Sequence, residues 1–224
     1  MNANEKFLIY MHIPKTGGTT LSNIIDKNYS KTILYIHVHH KIKLLEKENL
    51  NGVGAFMGHY PYGTHQYIPK PCVYISMMRD PIECIISLYY YILAEKLRYW
   101  HDKVKTMSFD EFLEDSEYDI ETSNMQTRYF CGGHTLDIGL AKKNLEKKFL
   151  VVGINEQYND SLKVMQRELG WKDISYSRAM VNAKRPLRKN VPDSIINKII
   201  EKNKLDIELY HFAKSLLNEK LEKM

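Results

Sequence analysis

A chain of 224 residues can bury a real core as one domain, and 44% hydrophobic with 26% charged content is that of a folded protein, which excludes a disordered or collagenous chain. The formal net charge of +5 suits a polyanionic ligand but is too small to argue for nucleic-acid binding. There is no run of about 18 apolar residues to cross a membrane and no basic-then-apolar leader before the first strand.

The first apolar run, Phe7 to Ile13, reads as a buried strand. It meets the turn Pro14-Lys15-Thr16-Gly17-Gly18-Thr19-Thr20. Leu21, Ile24 and Ile25 then recur at helical spacing and predict a helix over 18–28. Strand, small-residue turn and helix start gather backbone N–H groups, a lysine and three hydroxyls around one concavity, which suits a tetrahedral anion. The turn is not the ATP-type loop, in which Lys-Ser/Thr follows the last glycine; here Lys15 precedes both glycines. No second acidic strand end offers a magnesium ligand.

A strand over 33–37 and a helix over 41–48 come next. His37, His39 and His40 follow that strand, but adjacent His39 and His40 point different ways and no carboxylate is spaced to join them. They read as substrate contacts or surface histidines, so no metal site is expected. A strand over 53–58 runs into Gly58-His59-Tyr60-Pro61-Tyr62-Gly63-Thr64-His65. His59 follows a strand end and is suited to take a proton near neutral pH. His65 is the alternative, and a hydrogen-bonded turn histidine is the plain reading of either.

The strand over 73–78 ends at Arg79. Asp80 suits an N-cap, Pro81 the first helical position, and Glu83 a capping box. Ile82, Ile85, Ile86, Tyr89, Tyr90 and Leu93 give a helix over 81–98 one apolar face, with Ser87 off it. Arg79 either pairs with Asp80 or Glu83 or meets an anion at the strand end. Further helices are predicted near 108–115, 121–131, 137–147, 155–169, 193–202 and 204–222, and a strand over 149–152. The lysines of 41–47 and 142–148 read as solvated helix surface. Cys72, Cys84 and Cys131 lack metal spacing, and an odd count fits a reducing compartment, so a cytoplasmic protein is expected. Alternating strands and helices predict an α/β fold, a three-layer parallel sheet with helices on both faces. Ligands of such sheets sit at the carboxyl ends of strands, where both anion motifs fall.

The order Pro-Lys-Thr-Gly-Gly-Thr-Thr resembles the loop that holds the 5′-phosphosulfate of PAPS (3′-phosphoadenosine-5′-phosphosulfate) in sulfotransferases, and is most like the heparan-sulfate-type carbohydrate O-sulfotransferases. Strand-Arg79-Asp80-Pro81-x-Glu83-x-x-x-Ser87 resembles their 3′-phosphate element, and Gly58-His59-x-Pro61-Tyr62-Gly63 the segment with their catalytic histidine. The animal enzymes carry another histidine two residues earlier, where this chain has Met57. Asn182 to Lys189 packs Lys184, Arg185, Arg188 and Lys189 where the family has a basic loop over the nucleotide. Ser123 to Gly132 resembles a polar helix beside the cleft, from which Asn124, Gln126 and Arg128 are candidates to bind acceptor or brace the fold. Val151 to Trp171 reads as strand and core helix.

The resemblance implies a P-loop-like sulfotransferase fold in a single domain over 1–224, a compact, bacterial-like member of the family. It implies PAPS held by Lys15, Thr16, Gly17, Gly18, Thr19, Thr20, Arg79, Ser87, Lys184 and Arg185. Sulfuryl transfer to a hydroxyl acceptor, a glycan by preference, would be in line, with His59 as base and Lys15 neutralising the leaving oxygen. Alternatives are transfer to protein tyrosine or a small alcohol, a non-catalytic nucleotide-binding protein, or an ATP-dependent kinase that would need a magnesium carboxylate.

Overall fold

The run that starts at Phe7 forms β1 (Phe7–Met11), every residue of it buried. In this computed structural model the described residues are 6–29, 31–35, 45–46, 49–96, 99–133, 135–177 and 185–224. The segment predicted as helix over 41–48, most of it, and His37, His39, His40 and Lys184 lie outside them. β2 (Thr32–Tyr35), β3 (Ala55–Gly58), β4 (Cys72–Met78) and β5 (Phe149–Ile154) complete a sheet of order β2-β3-β1-β4-β5. Every pairing is parallel. In β1 and β3 both alternating sets of side chains are buried, so the sheet is covered on both faces, as an all-parallel sheet requires.

β1 stops at Met11, two residues before the predicted end. Ile13 is buried, but as part of the turn. Helix α1 (Gly18–Asn28) crosses from β1 towards β2 on one side, whereas β4 leads to β5 on the other. The strand order therefore reverses between β1 and β4, and a crevice opens beyond their carboxyl ends. Register fixes what meets there: Met11 lies opposite Gly58 on β3 and Ser76 on β4.

Helix α2 (Pro81–Ala94) leaves β4 with Asp80 accepting from the N–H groups of Ile82 and Glu83. It ends at Ala94, short of the predicted 98. Most of its apolar face packs not on the sheet but in a second core with Val104, Phe112, Tyr118, Ile195 and Ile199. Those residues come from α3 (His101–Val104), α4 (Phe109–Glu114), a 3-10 turn Ser116–Tyr118 and α9 (Asp193–Lys202). The helix predicted over 121–131 is two pieces, α5 (Asp119–Thr122) and α6 (Met125–Phe130), because Asn124 is left-handed at φ 49. α7 (Ile138–Lys148), α8 (Tyr158–Leu169) and α10 (Lys204–Glu222) all contact β5.

Candidate active site

Beyond β1 the chain makes one last ladder bond, His12 N–H to the Gly58 carbonyl at 3.0 Å, and turns. Lys15 and Gly17 are left-handed at φ 66 and φ 88. For lysine that conformation is uncommon and strained. At Gly17 it is free, and a Cβ there would lie 2.3 Å from Asn155 Nδ2, so a larger residue is doubly excluded.

Seven consecutive carbonyls, Met11 to Gly17, accept from side chains. Ser76 Oγ reaches Met11 at 2.7 Å, His59 Nδ1 reaches His12 at 2.8 Å and Thr16 Oγ1 reaches Ile13 at 2.8 Å. Arg79 Nη1 reaches Lys15 at 3.1 Å and Asn155 Nδ2 reaches Thr16 at 2.9 Å. Cys84 Sγ and Tyr158 Oη make longer contacts of 3.5 Å to Pro14 and Gly17. Apart from Thr16 in the loop itself, these donors come from the residue after β3, from β4 and the residue after it, from α2 and from the segment after β5, so the carboxyl ends of three strands tie down one loop. The peptides are all trans. In a planar trans peptide the N–H points opposite to the C=O. Tying the carbonyls of Pro14, Lys15, Thr16 and Gly17 therefore turns the N–H groups of Lys15, Thr16, Gly17 and Gly18 the other way, as an anion-binding nest needs. The Thr16 hydroxyl is spent inside the turn and is fully buried, which removes it from the three expected to face the concavity. Thr19 is exposed at the start of α1, and Thr20 bonds Tyr158.

Arg79 brings the second motif onto the first. Besides the Lys15 carbonyl, its guanidinium lies 3.6 Å from Glu83 and 4.0 Å from Glu156, while its Nε is buried without a hydrogen-bond partner. Glu83 does not complete a capping box. Its carboxylate turns to Arg79 and Arg185, and the Asp80 N–H is taken by Glu156 at 3.2 Å. Burial raises the Glu156 pKa above its ordinary value, and Tyr210 donates to its other oxygen at 3.1 Å. Arg188 reaches Asp80 at 3.4 Å, so the described part of the basic segment does fold back over this helix start. Ser87 lies half-buried on α2 two turns beyond Asp80. The Lys15 ammonium sits 3.5 Å over the ring of Tyr91, one turn further along α2.

His59 is half-buried beside the loop, its ring 4.3 Å from that of His12. His12 stacks in turn on Tyr10 at 5.3 Å. The His12 carbonyl only accepts, so His59 Nδ1 carries the proton of that bond and Nε2 of the neutral ring keeps its lone pair. His12 also covers Gly18, where a Cβ would lie 1.7 Å from His12 Nε2. Sequence reasoning missed His12, although it sits opposite His59 once β1 and β3 are paired in parallel. His65 is held elsewhere. Its Nδ1 is 3.1 Å from Tyr74 Oη, burial and Lys148 lower its pKa, and Tyr74 lies five residues, about 16 Å of strand, before Arg79. Asn124 and Gln126 are structural rather than open to an acceptor: Asn124 Oδ1 accepts from the N–H of Leu205, and Gln126 is buried against Arg79. Among the described residues no group of three His, Cys, Asp or Glu side chains is disposed to hold a metal, and no helix is long and apolar enough to cross a membrane.

The chain matches the family model described as "Sulfotransferase family" over residues 1–213. It is 25% identical to a Drosophila melanogaster heparin sulfate O-sulfotransferase, over 92% of this chain and 70% of that one. It is 24% identical to Mus musculus heparan sulfate 2-O-sulfotransferase 1, over 92% and 69%. A crystal structure of mouse sulfotransferase SULT7A1 complexed with PAP (the desulfated product) aligns with 90% of this chain and 64% of that one, at 15% identity and a TM-score of 0.47.

Proposed function

The chain belongs to the sulfotransferase family, and from that premise we propose that it acts, as a single domain, to move a sulfuryl group from PAPS to a carbohydrate hydroxyl. The observation that carries the reading is the loop held by its carbonyls, with its N–H groups turned to the opposite side and Lys15 and Arg79 beside it. A 5′-phosphosulfate fits the nest of Lys15 to Gly18 and the start of α1 at Thr19 and Thr20. Arg79 and Ser87, with Arg185 and Lys184 of the basic segment, would hold a 3′-phosphate. The buried Arg79 Nε, 4.0 Å from Glu156 and without a hydrogen-bond partner, is a donor such a phosphate would satisfy.

When bound, PAPS supplies an activated sulfuryl group with PAP as its leaving group. Lys15, on the loop itself, neutralises charge on the leaving oxygen. His59 Nε2 takes the proton of the acceptor hydroxyl, with Nδ1–H braced on the His12 carbonyl. The carbohydrate class rests on the relatives, whose names specify heparan sulfate. The three free thiols favour a reducing compartment, the cytoplasm.

The test is a calorimetric titration with PAP and AMP, followed by labelled-sulfate transfer from PAPS to a heparan-type glycan. A charge-assisted fork on the 3′-phosphate should favour PAP by about tenfold to a hundredfold, most of it lost in Arg79→Ala. His59→Ala should fold, bind PAP and lose on the order of 10²–10⁴-fold in transfer, and His65→Ala far less. Equal affinity of the parent for PAP and AMP refutes the cofactor; an active His59→Ala refutes the base.

A further inference from the structure

Arg79 stands one residue beyond the last pairing of β4, Met78 with Ile154 on β5. Sheet hydrogen bonds no longer define its backbone there, yet both its backbone groups are engaged. The Gln126 carboxamide donates through Nε2 to the Arg79 carbonyl at 2.9 Å and accepts through Oε1 from the Arg79 N–H at 3.1 Å. One side chain thus makes the two contacts an extra strand would have made. Gln126 is 1% exposed, so water does not compete for either bond.

Gln126 is itself fixed from behind. It is the second residue of α6, one position beyond Met125, which follows the left-handed Asn124, and its own N–H and that of Thr127 donate to the two carboxylate oxygens of Asp206 at 3.0 and 2.6 Å. Asn124 Oδ1 returns the contact, accepting from the N–H groups of Leu205 and Asp206 at 2.9 and 3.2 Å. Two helix starts cap each other, and the product of that clasp is a rigid amide aimed at the backbone of one arginine.

A long guanidinium side chain recognises a phosphate well only if its root is fixed, because each ångström of play at the Cα is passed on to the fork. We propose that Gln126 is the positioning residue of Arg79 and through it sets how strongly the site prefers nucleotides bearing a 3′-phosphate. The inference rests on the reading of Arg79 given above.

Gln126→Met tests it, since methionine keeps the length and volume but forms neither bond. The readout is the ratio of the AMP and PAP dissociation constants by calorimetry. The variant is expected to lower that ratio by about tenfold, with AMP affinity changed by no more than about threefold. In an Arg79→Ala background the same change should leave the ratio where it is. A fall in both affinities by one factor would mean a merely structural role and overturns the proposal, as does a loss of ratio that persists without Arg79. A parent ratio near one would instead overturn the 3′-phosphate reading itself, and is seen before any variant is made. If Gln126→Met does not fold, Gln126→Asn, whose amide stops one methylene short of Arg79, carries the same comparison.

Discussion

Asp206 offers a test of the clasp that needs no ligand. Its carboxyl is 2% exposed, on the first turn of α10, and two influences on it oppose each other. Removal from water favours the neutral acid, whereas two backbone N–H donors and the charge of Arg128 favour the carboxylate. Burial dominates, and the group is raised from 3.8 to about 6. The folded chain therefore binds this proton more tightly than the unfolded chain. The stability it brings is complete below pH 3.8 and is lost as pH rises through 6. A carboxyl moved that far gives about 3 kcal/mol. Asp102, Glu111, Asp115 and Asp173 at the surface have lowered values and the opposite sign, but they cancel when a variant is compared with its parent. Asp206→Asn is the variant. It removes the titration and leaves one amide N–H facing an NH2 group, a cost of about 1–3 kcal/mol. Urea unfolding of both proteins at pH 4 and pH 8 should show the parent ahead at pH 4 by a margin that shrinks by about 2 kcal/mol at pH 8, most of the full amount. A margin that stays constant, or grows with pH, would mean the N–H donors outweigh burial and refutes the reasoning.

Gly18→Ala places a Cβ where His12 Nε2 lies 1.7 Å away, so the His12 ring must leave its place against His59. Overpacking should cost about 1–3 kcal/mol in unfolding free energy, and transfer should fall more than PAP affinity does. Lys15→Ala should reduce turnover at saturating PAPS far more than PAP binding, since its best interaction forms as leaving-group charge develops; unchanged turnover removes it from catalysis. Tyr91→Leu takes away the ring beneath the Lys15 ammonium, worth about 0.5–2 kcal/mol, and turnover should drop by up to about thirtyfold with the PAP–AMP ratio intact.

The five strands were legible because each is a short apolar run, and a parallel sheet must bury both faces of such runs. The carboxyl edge on which the proposed site stands followed from strand ends alone, and Arg79 and His59 both bond the Lys15 loop there. What stayed hidden depends on partners distant in sequence. Asn124 sits inside a helical periodicity, and only its bonds to Leu205 and Asp206 show why the helix breaks there. Glu83 has the spacing of a capping box, but two arginines compete for it and win. A real capping box forms at Ser108 and Glu111, where Glu111 makes no ion pair among the described residues. His12 carried no motif of its own and became visible only when β1 and β3 were set in register.

The donors to loop 11–17 also bear on how the proposed site for a highly charged ligand would be built from a turn with one cation of its own. Backbone N–H groups cannot be replaced by substitution, but they bind an anion only if the peptide planes are held in one orientation. Here the hold is exerted on the carbonyl side, by His59 from the end of β3, Ser76 on β4, Arg79 beyond it, Cys84 on α2, and Asn155 and Tyr158 after β5. Burial pushes the Cys84 thiol up to about 12, so at neutral pH it remains a donor to Pro14. Two of these donors, Arg79 and His59, are also the residues assigned to the 3′-phosphate and to the acceptor proton. The groups that orient the nest are thus fixed by the same bonds that place the rest of the site around it. That shared bonding sets the loop, the arginine and the histidine side by side at the reversal point of the sheet.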